Sequence, residues 1–431
     1  AVGKGLRVPA NAEVIDAAGR HVTAGIIDAH SHTAIARGVN EGSHAVTTEV
    51  RIGDVVDATD VNIYRQLAGG VTAANLLHGS ANPMGGQNAV IKMRWGSDPR
   101  GLRFEGAPPG VKFALGENVK QSNWGDNFRS RYPQSRMGVE QIMLDTFTAA
   151  RAYGDALKRR GGPPLRRDLR LEAVLEILEG RRLVHIHSYV QSEIFMFARL
   201  SERLGFRVAT FQHILEGYKV ADELARIGAG ASGFSDWWGY KMEVYDAIPY
   251  NSALLARAGV VTSVNSDSNE HARRLNTEAA KAVRYGGMDE AEALKLVTLN
   301  PAIQLGIADR VGALREGLDA DLAIWNGHPL SGYSRVEQTW IDGRRYFDLD
   351  EDRALRMRDA AERERLLQKV LAERIDMAGT PARNAEDGSE RRGGWWNFSL
   401  HQGFESHFSH LRGLYHDGHD LDTCSMQGHR H

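Results

Sequence analysis

The chain has 431 residues, 42% hydrophobic and 25% charged, an ordinary globular composition and a length that allows one large α/β domain or two to three smaller ones. Its 53 Lys and Arg against 55 Asp and Glu leave a net charge of −2, without the basic surplus of a nucleic-acid-binding protein. One cysteine, Cys424, excludes an internal disulfide framework and a Cys-rich zinc site, so a metal site must draw on carboxylates and the 17 histidines. No apolar run reaches the roughly 18 residues of a membrane span. The opening AVGKGLRVPANAEVIDAAGR has neither an initiator Met nor an apolar leader, so Ala1 reads as a processed or truncated start, and the sequence decides neither a cytoplasmic nor an exported location.

In chain order, Glu13–Ile27 alternates and then turns apolar, which predicts a β-hairpin feeding a buried strand that ends at Asp28–His32. Strands are then expected at Val71–Leu77, Ala89–Met93, Val111–Leu115, Leu183–His187, Val208–His213, Gly228–Phe234 and Val260–Asn265. Helical spacing predicts helices at Gly138–Arg159, Leu171–Glu179, Gln191–Leu204, Lys219–Ile227, Ser252–Ala258, Asn276–Tyr285 and Asp289–Leu299. Short strands separated by helices imply βα units and a parallel sheet. Seven or eight units over about 250 residues fit a (β/α)8 TIM barrel. A doubly wound open sheet is disfavoured because no glycine-rich phosphate turn follows a strand. After about Arg310 the texture becomes short strands with Gly and Asp turns, a small β-domain; 351–376 is a charged amphipathic helix, 378–393 a flexible linker, and the last 37 residues hold seven of the 17 histidines. The pairs His416/His419 and His429/His431 in that tail permit metal sequestration, but show no closing geometry.

The chemistry concentrates at strand ends. In Gly25-Ile-Ile-Asp-Ala-His30-Ser-His32, the period-2 pleat sends His30 and His32 to the same side, where two imidazoles can hold one divalent cation. Glu117 closes VKFALGE, His187 closes RRLVHIH, His213 closes VATFQH and Asp267 closes VVTSVNSD. Each is a metal-capable group at the C-terminal end of a predicted strand, the end that carries catalytic residues in this fold. His185 shares a face with His187, so either could be the ligand; the other is then a buried core histidine.

The set GIIDAHSH, the strand-four carboxylate in ALGEN, the single histidines His187 and His213, Asp267, and TLNPAIQLGI followed by VGALREGLDADLAIWNGHP resembles the amidohydrolase superfamily, near its imidazolonepropionase-like and dipeptidase-like branch. The resemblance implies a TIM barrel at 25–309 and a small β-sandwich built from both chain ends, 1–24 (looking truncated) and 310–348, followed by the charged helix at 349–377 and the His-rich tail at 378–431. It also implies that His30 and His32 bind the more buried metal, that His187 and His213 bind a second, and that Asp267 ligates the first and acts as general base toward an activated water. Many relatives bridge the two metals with a carboxylated lysine. Here Glu117 is expected in that place, because Lys112, five residues earlier, should face the other way and Lys120 lies beyond the strand.

The implied cofactor is one or two divalent ions, zinc first and iron or manganese next, with no organic cofactor. The implied reaction is hydrolysis of an amide or peptide-like C–N bond, as in a dipeptide or N-acyl amino acid. Candidate substrate-binding residues are His78 and Gln87 around the amide- and Gly-rich loop GSANPMGGQN, Lys120, Trp124 and Arg129 in the cationic loop after Glu117, and Tyr189 just beyond His187. His78 reads equally well as a loop-capping group. The alternatives are a cyclic-amide (imidazolone- or hydantoin-type) hydrolase, a deaminase of the same fold, and a non-catalytic metal-binding scaffold. A deaminase would place a Glu three residues after the strand-five histidine; Val190 stands there, although Glu216 follows His213 at that spacing. The expected partner is a small-molecule substrate, with no nucleic acid and no membrane span, and a homo-oligomer is left open.

Overall fold

The computed structural model describes residues 3–125, 130–159, 164–234, 239 and 241–379. The strands, in chain order, are β1 (His21–Ala24), β2 (Ile26–Ser31), β3 (Val71–Leu76), β4 (Met84–Gln87), β5 (Ala89–Lys92), β6 (Gly110–Ala114), β7 (Leu183–His187), β8 (Val208–Gln212), β9 (Gly230–Gly233), β10 (Thr262–Val264), β11 (Leu322–Trp325), β12 (Val336–Ile341) and β13 (Arg344–Asp348). The helices are α1 (Asn62–Leu67), α2 (Arg136–Lys158), α3 (Leu169–Leu178), α4 (Gln191–Leu204), α5 (Ala221–Arg226), α6 (Asn251–Arg257), α7 (Leu275–Gly286), α8 (Glu290–Lys295), α9 (Leu299–Leu305) and α10 (Leu349–Gly379). The described residues through Asp348 form one compact unit, and α10 belongs to a second.

Strands β6 to β10 pair in parallel in the order β10-β9-β8-β7-β6, with β4 antiparallel on the free edge of β6. A second sheet, β2-β3-β5, continues the wall. Its β2 end is tied to the end of β10 by the Asp267 N–H donating to the His30 carbonyl at 3.1 Å, while β4 runs into β5 through the single residue Asn88. Alternation sorts the side chains. Val111, Phe113, Val184, Ile186 and Phe211 join an apolar cluster with Phe147 of α2 and Phe197 of α4, whereas Lys112, His185 and Thr210 stand in register across β6, β7 and β8. Two helix starts are capped by aspartates: Asp168 accepts from Arg170 and Leu171 N–H, and Asp289 from Ala291 and Glu292 N–H.

The expected hairpin at Glu13–Ile27 does not form. β1 pairs antiparallel with β11, because only Gly25 separates β1 from β2 and one residue cannot make a reverse turn. A Cβ on Gly25 would collide with the Thr72 side chain, so the residue type fixes this close crossing. The small β-domain is a four-stranded antiparallel sheet, β1-β11-β12-β13, drawn from residues 21–24 and 322–348. The helix expected at Asp289–Leu299 is the shorter α8, and a further helix, α9, begins where the expected one ends. The tail histidines and the 380–431 part of the predicted linker and tail lie outside the described residues.

One buried cation staples the small sheet to the wall. Lys92 on β5 is fully buried, and its ammonium donates to Asp319 (2.8 Å), Asp321 (3.2 Å) and Asp342. Arg310 holds Asp319 and Arg94 holds Asp342, both at 2.7 Å, so three cations balance three carboxylates. Removing one partner of such a buried group strands the others. Lys92→Met is expected to cost about 3–5 kcal/mol of folding stability, read as a lower urea midpoint; a loss within about 0.5 kcal/mol, the range of ordinary surface changes, would show that the staple carries little.

Candidate metal centre

β2 delivers His30 to the interior and His32 just past the strand end, and β10 delivers Asp267 opposite them. His32 Nε2 stands 3.0 Å and His30 Nε2 3.4 Å from Asp267 Oδ1, and His213 Nε2 stands 3.5 Å from Oδ2. One donor atom from each of His30, His32 and Asp267 lies within 4.8 Å of the others. The rings of His213 and His30 are 4.2 Å apart, and those of His213 and His187 5.1 Å. Asp267 (φ +46°) and His213 (φ +57°) both adopt the left-handed conformation that non-glycine residues avoid, a strain concentrated where two side chains must turn inward from strand ends.

The donor set fits a divalent cation. His32 Nδ1 faces the Leu77 carbonyl at 3.0 Å, a contact that in the Nδ1–H tautomer makes Nε2, on the Asp267 side, the atom able to ligate a cation. His30 Nδ1 and both ring nitrogens of His185, His187 and His213 are buried without hydrogen-bond partners, so none of these three is a satisfied core histidine.

The electrostatics favour neutral His30 and His187 and an ionised Asp267. Burial, reinforced by the Lys112 ammonium, drives His30 well below its ordinary value; burial, His213 and Lys112 do the same to His187. Burial works to raise the Asp267 carboxyl, but His213, the His32 contact and Lys112 outweigh it and bring it down to about 2. Two residues before His30, Asp28 is raised to about 7 by burial, although it accepts from Ser266 Oγ and N–H and from His30 N–H.

The expected bridge is corrected. Glu117 lies outside this group: its carboxylate faces Lys241 (3.4 Å) and Asn123, and its own N–H donates to Glu243. Lys112 is fully buried and inside the group, its Nζ 3.4 Å from His30 Nε2 and 3.2 Å from Ser80 Oγ. Counting back from Glu117 in steps of two turned Lys112 outward. However, β6 ends at Ala114, Gly116 is at φ +86°, and Glu117 opens a short 3-10 turn, so the strand period does not reach Glu117. Regular alternation from Val111 and Phe113 would have found Lys112.

His185 is buried beneath His187, both ring nitrogens unpartnered, and burial with Lys112 lowers it to about 3. His78 has both nitrogens engaged by backbone: Nε2 accepts from Glu41 N–H and Nδ1 faces the Gly79 carbonyl, each at 2.8 Å, the loop-capping arrangement. Burial lowers it to about 4. Gln87 sits on the unpredicted strand β4 and donates to the Thr48 carbonyl. Lys120 donates to the Gly116 carbonyl, and Trp124 packs its ring against Arg131. Tyr189 is buried, its ring 4.4 Å from that of His187. Arg129 lies outside the described residues. Glu216 accepts from Gln191 N–H at the start of α4 and forms an ion pair with Lys219 at 3.4 Å, so its carboxylate is committed away from the histidines. Of the side chains within this group, Lys112 is the one whose facing the sequence did not predict.

These shifts set a sign for acid stability. His30, His78, His185 and His187 titrate below 6.5 when folded, so they contribute stability that is present above that value and lost as pH falls through their folded values. Asp28 and Glu243, both raised to about 7, act oppositely over the same window. Four proton-uptake sites against two leave the unfolded state binding more protons. The chelator-treated protein should therefore lose stability between about pH 7 and about pH 5, measured by urea unfolding; a flat or rising midpoint would contradict neutral buried imidazoles.

Residues 250–346 match the amidohydrolase family profile. The chain is 31% identical over 380 residues to Amidohydrolase tasK of Hapsidospora irregularis; the match covers 79% of this chain, which spans about 38% of that curated relative's length. A solved amidohydrolase structure from Thermotoga maritima MSB8 is 32% identical and superposes with a TM-score of 0.74 over 81% of this chain and 92% of that one. The mixed α/β unit is thus of the TIM-barrel type, and the chain belongs to the amidohydrolase family of hydrolytic enzymes.

Proposed function

We propose that the protein is a metal-dependent hydrolase that cleaves an amide or peptide-like C–N bond in a substrate bearing a carboxylate, such as a dipeptide or N-acyl amino acid. The observation that carries this reading is the convergence of His30, His32 and Asp267 donor atoms within 4.8 Å, with a neutral His30 beside an ionised Asp267. The proposed ligands are His30, His32, Asp267, His187 and His213, with Lys112 instead of Glu117 as the bridging residue in carboxylated form. A cation there supplies Lewis acidity and lowers the pKa of water. Asp267, ionised at neutral pH, accepts a proton at a carboxylate oxygen and returns it to the leaving nitrogen. Tyr189, buried against His187, orients the substrate carbonyl. The architecture we infer is a closed (β/α)8 barrel over 25–309 with a β-sandwich module from 1–24 and 310–348; the Asp267–His30 backbone bond and the β4–Asn88–β5 junction at the two sheet seams support it. The commitment of Glu216 to α4 speaks against a deaminase.

Metal content per chain tests the ligand set: Lys112→Met is expected to lower it and Glu117→Ala to leave it unchanged, and the reverse pattern would restore Glu117 as the bridge. A panel of dipeptides, N-acyl amino acids and cyclic amides tests the reaction. Asp267→Asn should cost roughly 10²- to 10⁴-fold in kcat on whichever is cleaved; hydrolysis at the parental rate would refute the general-base role.

A further inference from the structure

The two segments that carry His32 and Asp267 leave their strands by turns that ordinary residues avoid. After His32 the chain turns through Ala34 at φ +59°, and beyond β10 Asp267 itself is at φ +46°. Such a backbone persists only where its surroundings over-determine it. Around Asp267 they do so from both sides. On one side, Ser266 is anchored to Asp28 by its Oγ (2.5 Å) and its N–H (3.1 Å). On the other, Asn269 Oδ1 accepts from Thr33 Oγ1 at 2.6 Å. Thr33 directly follows His32, so this bond ties the chain beyond one ligand to the chain beyond the other. Gln66 on α1 completes the bridge, donating its amide to Thr33 Oγ1 at 2.5 Å and to the Asn269 carbonyl at 3.4 Å. A hydroxyl has one proton to give; Thr33 gives it to Asn269 and accepts from Gln66, so the bridge runs in one direction, Gln66 to Thr33 to Asn269. Thr33 and Gln66 are completely buried. The start of α1 holds the same turn a second time: Asp60, two residues before the helix, accepts from Ala34 N–H at 2.7 Å and from Asn62 N–H at 2.9 Å.

Resting on the ligand assignment above, we propose that Thr33 is a positioning residue of the metal centre, and that the Gln66–Thr33–Asn269 bridge sets the separation of His32 and Asp267. The need for such a device follows from the topology. β2 and β10 belong to different sheets, so no ladder of backbone hydrogen bonds spaces the two ligands. The seam between them carries the Asp267 N–H to His30 carbonyl bond, which fixes the chain at His30 but leaves the segment beyond it to side chains. His32 Nε2 and Asp267 Oδ1 nevertheless stand 3.0 Å apart. A partner that holds the ligand-bearing backbone controls metal affinity almost as the ligands do, because a displaced donor atom weakens the bond it makes. The bridge consists of uncharged groups, so it adds no charge beside Asp267 and acts through geometry. It also gives α1 a task in the site, although that helix supplies no ligand.

The test is zinc binding by the metal-free full chain, measured in competition with a chromophoric chelator. A His30→Ala/His32→Ala variant reports the zinc that other residues take, and that share is subtracted. Thr33→Val keeps the shape of the side chain and removes its hydroxyl. It should weaken the site about 10- to 100-fold, the range for losing a group that orients metal ligands. Thr33→Ser keeps the hydroxyl and should recover most of that loss. Urea unfolding of the metal-free chains separates a merely structural role. A Thr33→Val chain that loses stability yet binds zinc as tightly as the parent would overturn the assignment while the ligand set stands, as would a Thr33→Ser chain no better than Thr33→Val. A parental chain that binds no more zinc than the double variant would remove the ligand set as well. Should Thr33→Val not fold, Asn269→Ala, at the exposed end of the bridge, takes its place with the same expected weakening.

Discussion

The site depends on one buried carboxylate. Asp267 lies between His32, His30 and His213, and is fixed by its own N–H donating to the His30 carbonyl across the seam between β10 and β2. Ionised carboxylates are expensive to bury unless partners replace the lost water. Here His213, His32 and the Lys112 ammonium together outweigh burial. The same ammonium makes protonating His30 or His187 unfavourable, so one arrangement keeps the acid ionised and the bases neutral. The left-handed backbone at Asp267 and His213 is the conformational cost of that convergence.

A polar interior follows from the strand period. On β6, β7 and β8 alternate residues feed the phenylalanine-rich cluster against the helices, and the residues between them line the inside. Lys112, His185 and Gln212 are completely buried there, with Asn265 bonding Ser232, and Gln212 donating to the Ala29 carbonyl. Such an interior is less forgiving than an aliphatic one, because each group without a partner is penalised by desolvation. The outer phenylalanine cluster supplies the compensating apolar burial.

Much of this was legible because the two periodicities are local. His30, His32, His187, His213 and Asp267 each end an apolar run, and a polar group at a strand end is visible in a single sequence. What failed was long-range or depended on a single dihedral angle. The pairing of β1 with β11 bridges nearly 300 positions, so no local pattern reports it. The facing of Lys112 was misjudged because Gly116 leaves the strand conformation before Glu117, and a left-handed glycine interrupts counting without altering the apolar pattern.

The separation of Glu117 from the histidines has its own electrostatic logic. Swung inward, Glu117 would place a second carboxylate beside Asp267 in a low-dielectric interior, raising the charge it had to neutralise, and would strip Lys241 of a counter-ion. Lys112 meets the opposite condition: its ammonium beside Asp267 stabilises the ionised acid before any cation arrives, and Ser80 Oγ and the His78 carbonyl accept from it.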